Sequence, residues 1–336
     1  MFTATVLLAV MLSTYANAEK TLHLGRDGQW KNSSDEPNGK FLLAASKIKQ
    51  VIATGDIESA LQQLSQIKAD YPDITGPDLD FFMDAELLYA QGKWAKAVIK
   101  YDELLDTYPD SWLYDSALER NFSTATAFLT GEKRIVMKFL KLSSYEEGEN
   151  IMHSIADRTG DAPIAKRALE AVAKSYETRG KYLDAYEAWA DISSRWPTGK
   201  LGKDSLLQMA HALHSAYRSP KYDQSSLQSA RSYYRNFKLR YPQDKNEYQI
   251  DEKINMIDEQ LAYKQFKIGE YYDRTNSPQA ANIYYQYVID NWPDSTAAKM
   301  ATEAMQSKKT TQEEKTWKTK FMEKFEKLFL SLPSTL

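Results

Sequence analysis

Five times along this chain an alanine is followed by a large apolar residue four positions on, an aliphatic residue or phenylalanine at seven, and a proline at twelve. The copies are Ala60, Leu64, Ile67, Pro72; Ala97, Tyr101, Leu104, Pro109; Ala185, Trp189, Ile192, Pro197; Ala230, Tyr234, Phe237, Pro242; and Ala281, Tyr285, Val288, Pro293. An aromatic residue, Tyr71, Tyr108, Trp196, Tyr241 or Trp292, precedes each proline. Offsets of four and seven keep one helical face turned inward, and the proline closes the helix because it can neither donate to the ladder nor clear the carbonyl four residues back. A helix that recurs in this way belongs to a repeated helix pair, each buried against its neighbours.

The turn inside each pair is also marked. Gly55, Gly92 and Gly180 stand five residues before the template alanine, where a tight turn needs a positive φ. The two later copies place Ser225 and Asn276 near that position, and asparagine tolerates the left-handed region better than most residues. Successive closing prolines lie 37, 88, 45 and 51 residues apart, so the second gap has room for a hidden unit. Aligning Gly148 on the alanine puts Met152 and Ile155 at the next two positions, with Gly160 in place of the closing proline. The reading is an all-α tetratricopeptide-repeat superhelical solenoid of five to six helix pairs over 41–305.

Outside the repeats three segments are expected. Residues 1–18 are uncharged, apolar from Val6 to Leu12, and end with Ala16 and Ala18 in the small-x-small arrangement of a cleaved signal peptide. Residues 19–40 are rich in Gly, Ser, Asn and Asp and read as a flexible N-terminal arm. Residues 306–336 read as a polar hinge and a basic amphipathic helix carrying Trp317, Phe321, Phe325 and Phe329 on one face. That helix is read either as a cap over the end of the solenoid or as a membrane or partner helix.

Composition narrows the chemistry. With 43 basic and 46 acidic residues the net charge is −3, and nothing suggests a nucleic-acid partner. The absence of cysteine removes disulfides, thiolate metal ligands and cysteine nucleophiles. His211 and His214 share a helical face, yet no metalloprotease motif or carboxylate at metal spacing accompanies them, so neither metal nor cofactor is expected. The expectation is a non-catalytic binding protein, with a metal enzyme built on the two histidines as the contrary reading.

Binding in such repeats falls to the first helix of each pair, which lines a groove for an extended or helical peptide. Registering the repeats on their prolines assigns Leu79, Phe82, Glu86 and Tyr89 to that surface in the second pair. The same register gives Arg167, Glu170, Lys174 and Glu177 in the pair closing at Pro197, and Tyr263, Phe266, Glu270 and Asp273 in the last.

The C-terminal third carries a family resemblance. Ala230, Tyr234, Tyr241 and Pro242 precede a long charged helix, then Tyr271, Tyr272 and Arg274, and then Ala281, Tyr285, Trp292, Pro293, Asp294 and Ser295. This order resembles the BamD family, the periplasmic tetratricopeptide-repeat component of the outer-membrane β-barrel assembly machinery. The resemblance implies a periplasmic protein associated with the outer membrane. Its partners would be the periplasmic domains of a barrel insertase and unfolded outer-membrane protein segments. Members typically carry a lipobox cysteine, which this chain lacks, so the membrane would be reached through a partner or through the C-terminal helix. The alternative is an envelope-maintenance scaffold associated with Tol-Pal or peptidoglycan.

Overall fold

The computed structural model describes residues 22–24, 30–32, 39–131, 133–137, 140–307 and 319–320. It divides into two compact units, Met1–Val172 and Ala173–Leu336. In the first, strands β1 (Leu22–Leu24) and β2 (Trp30–Asn32) precede α1 (Gly39–Ala53), α2 (Ile57–Asp70), α3 (Pro77–Ala90), α4 (Trp94–Thr107) and α5 (Tyr114–Leu129). Then come β3 (Lys133–Met137), β4 (Leu140–Ser143), α6 (Tyr145–Thr159) and the first part of α7 (Pro163–Thr178). The second unit holds the rest of α7, then α8 (Tyr182–Arg195), α9 (Gly199–Ala216), α10 (Ser225–Arg240), α11 (Ile250–Arg274), α12 (Pro278–Asn291) and a further helix, α13, over 296–307. Six helix pairs, α1/α2 to α11/α12, stand among the described residues, and the chain has the all-α tetratricopeptide-repeat fold.

The template residues are the core. All five alanines are fully buried, and so are the partners four and seven positions later, none more than 4 % exposed. The aromatic before each proline closes its helix in one conformation, with φ between −127° and −139° and ψ between 60° and 74°. Its backbone N–H still donates to the carbonyl of the template's third residue, for example Tyr108 to Leu104 at 2.8 Å and Trp292 to Val288 at 3.0 Å. A residue preceding proline is excluded from helical ψ by the pyrrolidine ring, so the helix ends at that residue.

The hidden unit is present. Gly148, Met152 and Ile155 are buried in α6, and a Cβ on Gly148 would lie 3.0 Å from the Ala125 carbonyl, so α5 and α6 approach closely there. This pair ends at Gly160 with φ 57° in place of the proline. Its helices are joined by an antiparallel ladder, with Lys133 opposite Ser143, Arg134 opposite Leu142 and a bulge between Ile135 and Met137. The turn reading holds at Gly55, Gly92, Gly180 and Asn276, all at positive φ.

Three expectations need correction. Ser225 is not a turn residue; it opens α10, and its backbone N–H donates to the Asp223 carboxylate at 3.0 Å. The segment 217–224 makes the connection, pinned by Lys264 Nζ on the carbonyls of Pro220 (2.9 Å) and Tyr222 (2.5 Å). The stretch assigned to a flexible arm contains a two-stranded ladder in which Leu24 faces Trp30, because backbone groups in so polar a segment can still pair with each other. The repeat region also continues to 307, where α13 buries Ala297, Ala298 and Ala301 with Tyr285 and Val288. The signal-peptide region 1–18 and Trp317, Phe321, Phe325 and Phe329 lie outside the described residues. Among the described residues no helix is long and apolar enough to cross a membrane.

Gly269 faces the last template aromatic most closely, since a Cβ there would stand 2.7 Å from the Tyr285 ring. Gly269→Val is therefore expected to destabilise the protein by about 1–3 kcal/mol through overpacking, read as a lower urea midpoint.

Candidate functional site

The template aromatic presents a polar tip toward the preceding helix, and the tip needs a partner once buried. In the first unit Tyr101 Oη donates to Glu86 Oε1 of α3 at 2.6 Å. Arg120 of α5 donates Nε to the same oxygen at 2.5 Å and Nη2 to Oε2, a bidentate pair with side chains 5 % and 1 % exposed. Its guanidinium also stacks on Tyr89 at 4.9 Å. Burial works against the Arg120 charge and the Glu86 carboxylate overcomes it, so the guanidinium pKa stands above its ordinary value. Burial, reinforced by Glu86, holds the Tyr101 phenol well above its usual range.

The same device recurs in the second unit. Trp189 Nε1 donates to Glu177 of α7 at 2.8 Å, and Tyr285 Oη donates to Asp273 of α11 at 2.7 Å. Tyr234 lacks it, and its buried hydroxyl has no hydrogen-bond partner. Of the three acids that the sequence reading gave to a groove, Glu86 is buried, while Glu177 and Asp273 are half-buried, and each accepts a hydrogen bond from the aromatic of its own helix pair. Leu79, Phe82 and Phe266 are also removed from that surface, at 3 %, 2 % and 6 % exposure. They lie on helices packed against a neighbour on each side, α3 between α2 and α4 and α11 between α10 and α12, and the core takes them.

Of the groove set, Tyr89 is half-buried, Arg167 is exposed, and Glu170 and Lys174 remain at or near the surface of α7. Tyr263 is 39 % exposed and stacks on Phe266, while Glu270 is half-buried and pairs with Lys267. The structure adds residues the register missed. Lys49 of α1 reaches Ser123 Oγ of α5 at 3.5 Å, and Arg167 pairs with Glu119 of α5 at 2.9 Å while stacking on Phe122 at 4.3 Å. Burial and then the Arg120 charge lower the Lys49 pKa. Helix α5 escaped the reading because its pair closes at Gly160, leaving no proline to register it.

The two histidines do not form a site together. His214 Nε2 is 3.0 Å from Gln260 Oε1 and its ring lies edge-on to Tyr234, while His211 is exposed. Among the described residues no three His, Asp or Glu side chains stand in a metal-holding group.

The sequence profile of a tetratricopeptide-repeat family matches residues 84–111, from the middle of α3 through α4 to just past its closing proline. The profile of the outer membrane lipoprotein family YfiO matches residues 208–324, from α9 through α13. No curated protein matches the chain. Among solved structures, the C-terminal part of a TPR repeat-containing protein from Cytophaga hutchinsonii is 11 % identical, over 78 % of this chain and 87 % of that one, with a TM-score of 0.35. A tetratricopeptide repeat protein from Parabacteroides merdae is 13 % identical, over 78 % and 97 %, with a TM-score of 0.32. The chain has the tetratricopeptide-repeat fold, the architecture of protein-binding scaffolds. Within that class it is BamD-like, resembling the outer membrane lipoproteins of the YfiO family.

Three stability changes and one pH dependence are expected. Glu86→Gln leaves the Arg120 guanidinium buried without its counter-charge and should destabilise the protein by about 3–5 kcal/mol, whereas Glu86→Leu with Arg120→Met should recover most of that loss. Tyr101→Phe should cost about 1 kcal/mol, and urea denaturation measures all three. Burial, opposed by the Gln260 hydrogen bond, lowers the His214 pKa from 6.5. The unfolded chain then binds the proton more readily, so this group's stability contribution is complete above that value and is lost as pH falls below it. The urea midpoint should drop as pH falls through 6.5 and below, and His214→Gln should flatten that part of the profile.

Proposed function

We propose that this protein is a non-catalytic scaffold of outer-membrane β-barrel assembly. The family match over 208–324 carries the reading, because it takes in the second half of α9 and all of α10 to α13 in the second unit. In this proposal that unit docks the periplasmic domains of a barrel insertase, with Tyr263 as an aromatic anchor and Glu270 and Lys174 setting orientation. The first unit receives unfolded outer-membrane protein segments on the face formed by α1, α3, α5 and α7, where Tyr89, Arg167 and Glu170 lie. The protein is exported and works in the periplasm, peripherally associated with the outer membrane. Trp317, Phe321, Phe325 and Phe329 supply the membrane or partner contact.

Photo-cross-linkers placed at Tyr263 and at Arg167 in an intact envelope test both halves. Capture of a barrel insertase at the first position and of unfolded barrel chains at the second is the expected outcome. Capture of Tol-Pal or peptidoglycan-bound proteins without an insertase would replace this reading with an envelope-maintenance scaffold. Deletion of 312–336 should release the protein from the membrane fraction without lowering its helicity by circular dichroism beyond the residues removed.

A further inference from the structure

The ladder between α5 and α6 differs in composition from the helices that carry it. Its two strands, Lys133–Met137 and Leu140–Ser143, hold the cations Lys133, Arg134 and Lys141, five apolar residues and one serine, with no acid. Neither residue that joins the strands is acidic. Gly131, at φ 100°, starts the excursion, and a Cβ there would lie 3.0 Å from Tyr145 Oη, so the ladder leaves and re-enters the helix pair at one place. Beyond that base, the strands among the described residues pack on each other and on no helix to a comparable extent.

The register sorts the residues by charge. Arg134 stands opposite Leu142 and Met137 opposite Leu140 on one face, while Lys133 opposite Ser143 and Ile135 opposite Lys141 fall on the other. One face is thus mostly apolar and the other mostly cationic. Two strands by themselves are marginal in water and need a further surface against their apolar face. No third strand pairs with either edge among the described residues, and the edges are poorly made for one. A bulge between Ile135 and Met137 bends the ladder, and bulges and cations are the devices that keep edge strands from recruiting another chain.

An anionic lipid surface answers both faces at once, since apolar residues enter the boundary of the acyl chains while lysine and arginine meet phosphate headgroups. We propose that the β3–β4 ladder is a membrane-surface element that seats the first unit on anionic phospholipid. The proposal rests on the reading that the protein works at a membrane, and it adds a contact far in sequence from residues 312–336. One weak anchor gives only marginal, reversible attachment and two give a stable one, so a chain without a lipobox cysteine gains most from such an addition.

The natural chain has no cysteine, so Met137→Cys in the full chain carries a single polarity-sensitive fluorophore on the ladder. Vesicles of phosphatidylethanolamine with phosphatidylglycerol are expected to shift its emission to the blue, and vesicles of phosphatidylcholine alone to leave it unchanged. Each Lys or Arg near an anionic surface is worth about fivefold in affinity. In co-sedimentation, replacing Lys133, Arg134 and Lys141 together by Gln should therefore weaken binding to the anionic vesicles at least about tenfold, with unchanged circular dichroism. The wild-type affinity should fall as salt rises. An unshifted fluorophore on a chain that still sediments with the vesicles would overturn the ladder's role and leave membrane association standing. Failure of the full chain to sediment with them would overturn both. A blue shift produced by a neutral peptide of alternating apolar and polar residues, and not by vesicles, would overturn the lipid surface in favour of strand addition.

Discussion

The close approach of two helices at one small residue is the constraint on which the repeat depends. Each template alanine is fully buried, and where the contact is tightest even a methyl group has no room, as at Gly269 against the Tyr285 ring. Once the helices meet there, the large residue a turn later must fill the space that opens beyond the contact, and Tyr101, Trp189, Tyr234 and Tyr285 do so. Burying such a ring also buries an O–H or N–H. The acid on the preceding helix answers that need in three of the four aromatic copies. Packing thus dictates where buried charge must appear, and in the first unit Glu86 draws Arg120 into the interior with it.

This hierarchy explains what could be read from sequence. The alanine, the aromatic and the proline follow from helix geometry alone, so the pairs, their turns at Gly55, Gly92, Gly180 and Asn276, and the unit built on Gly148 were all legible. The groove was not. A first-helix acid can face water or a neighbouring ring tip, and nothing in its identity separates Glu86, which is buried, from Glu170, which is not. The informative signal lay in pairs: an acid twelve residues before the aromatic at Glu177/Trp189 and Asp273/Tyr285, and fifteen before it at Glu86/Tyr101. Arg120 and Lys49 needed the fold itself, because their proximity spans helices with no shared spacing in sequence.

The two units carry different chemistry on one architecture. The first buries an arginine–carboxylate pair and gathers cations around it. In the second the acids of α7 and α11 meet the neutral donors of Trp189 and Tyr285, and Lys264 fastens the 217–224 segment to α11. The second is also where the outer membrane lipoprotein family matches. A scaffold with two chemically distinct surfaces can hold two kinds of partner without either competing for the other's residues.

The ladder between α5 and α6 bears on how such a protein tolerates change. Four pairs close over a turn of a few residues, while this pair spans β3 and β4 and its helices still meet at Gly148. Loop-closure entropy rises only with the logarithm of length, so once side chains fix the helix contact the connection is nearly free to grow. The turn between paired helices is therefore a natural port for inserted sequence, where a reporter or a new recognition element could be grafted without disturbing the helix contact beneath it.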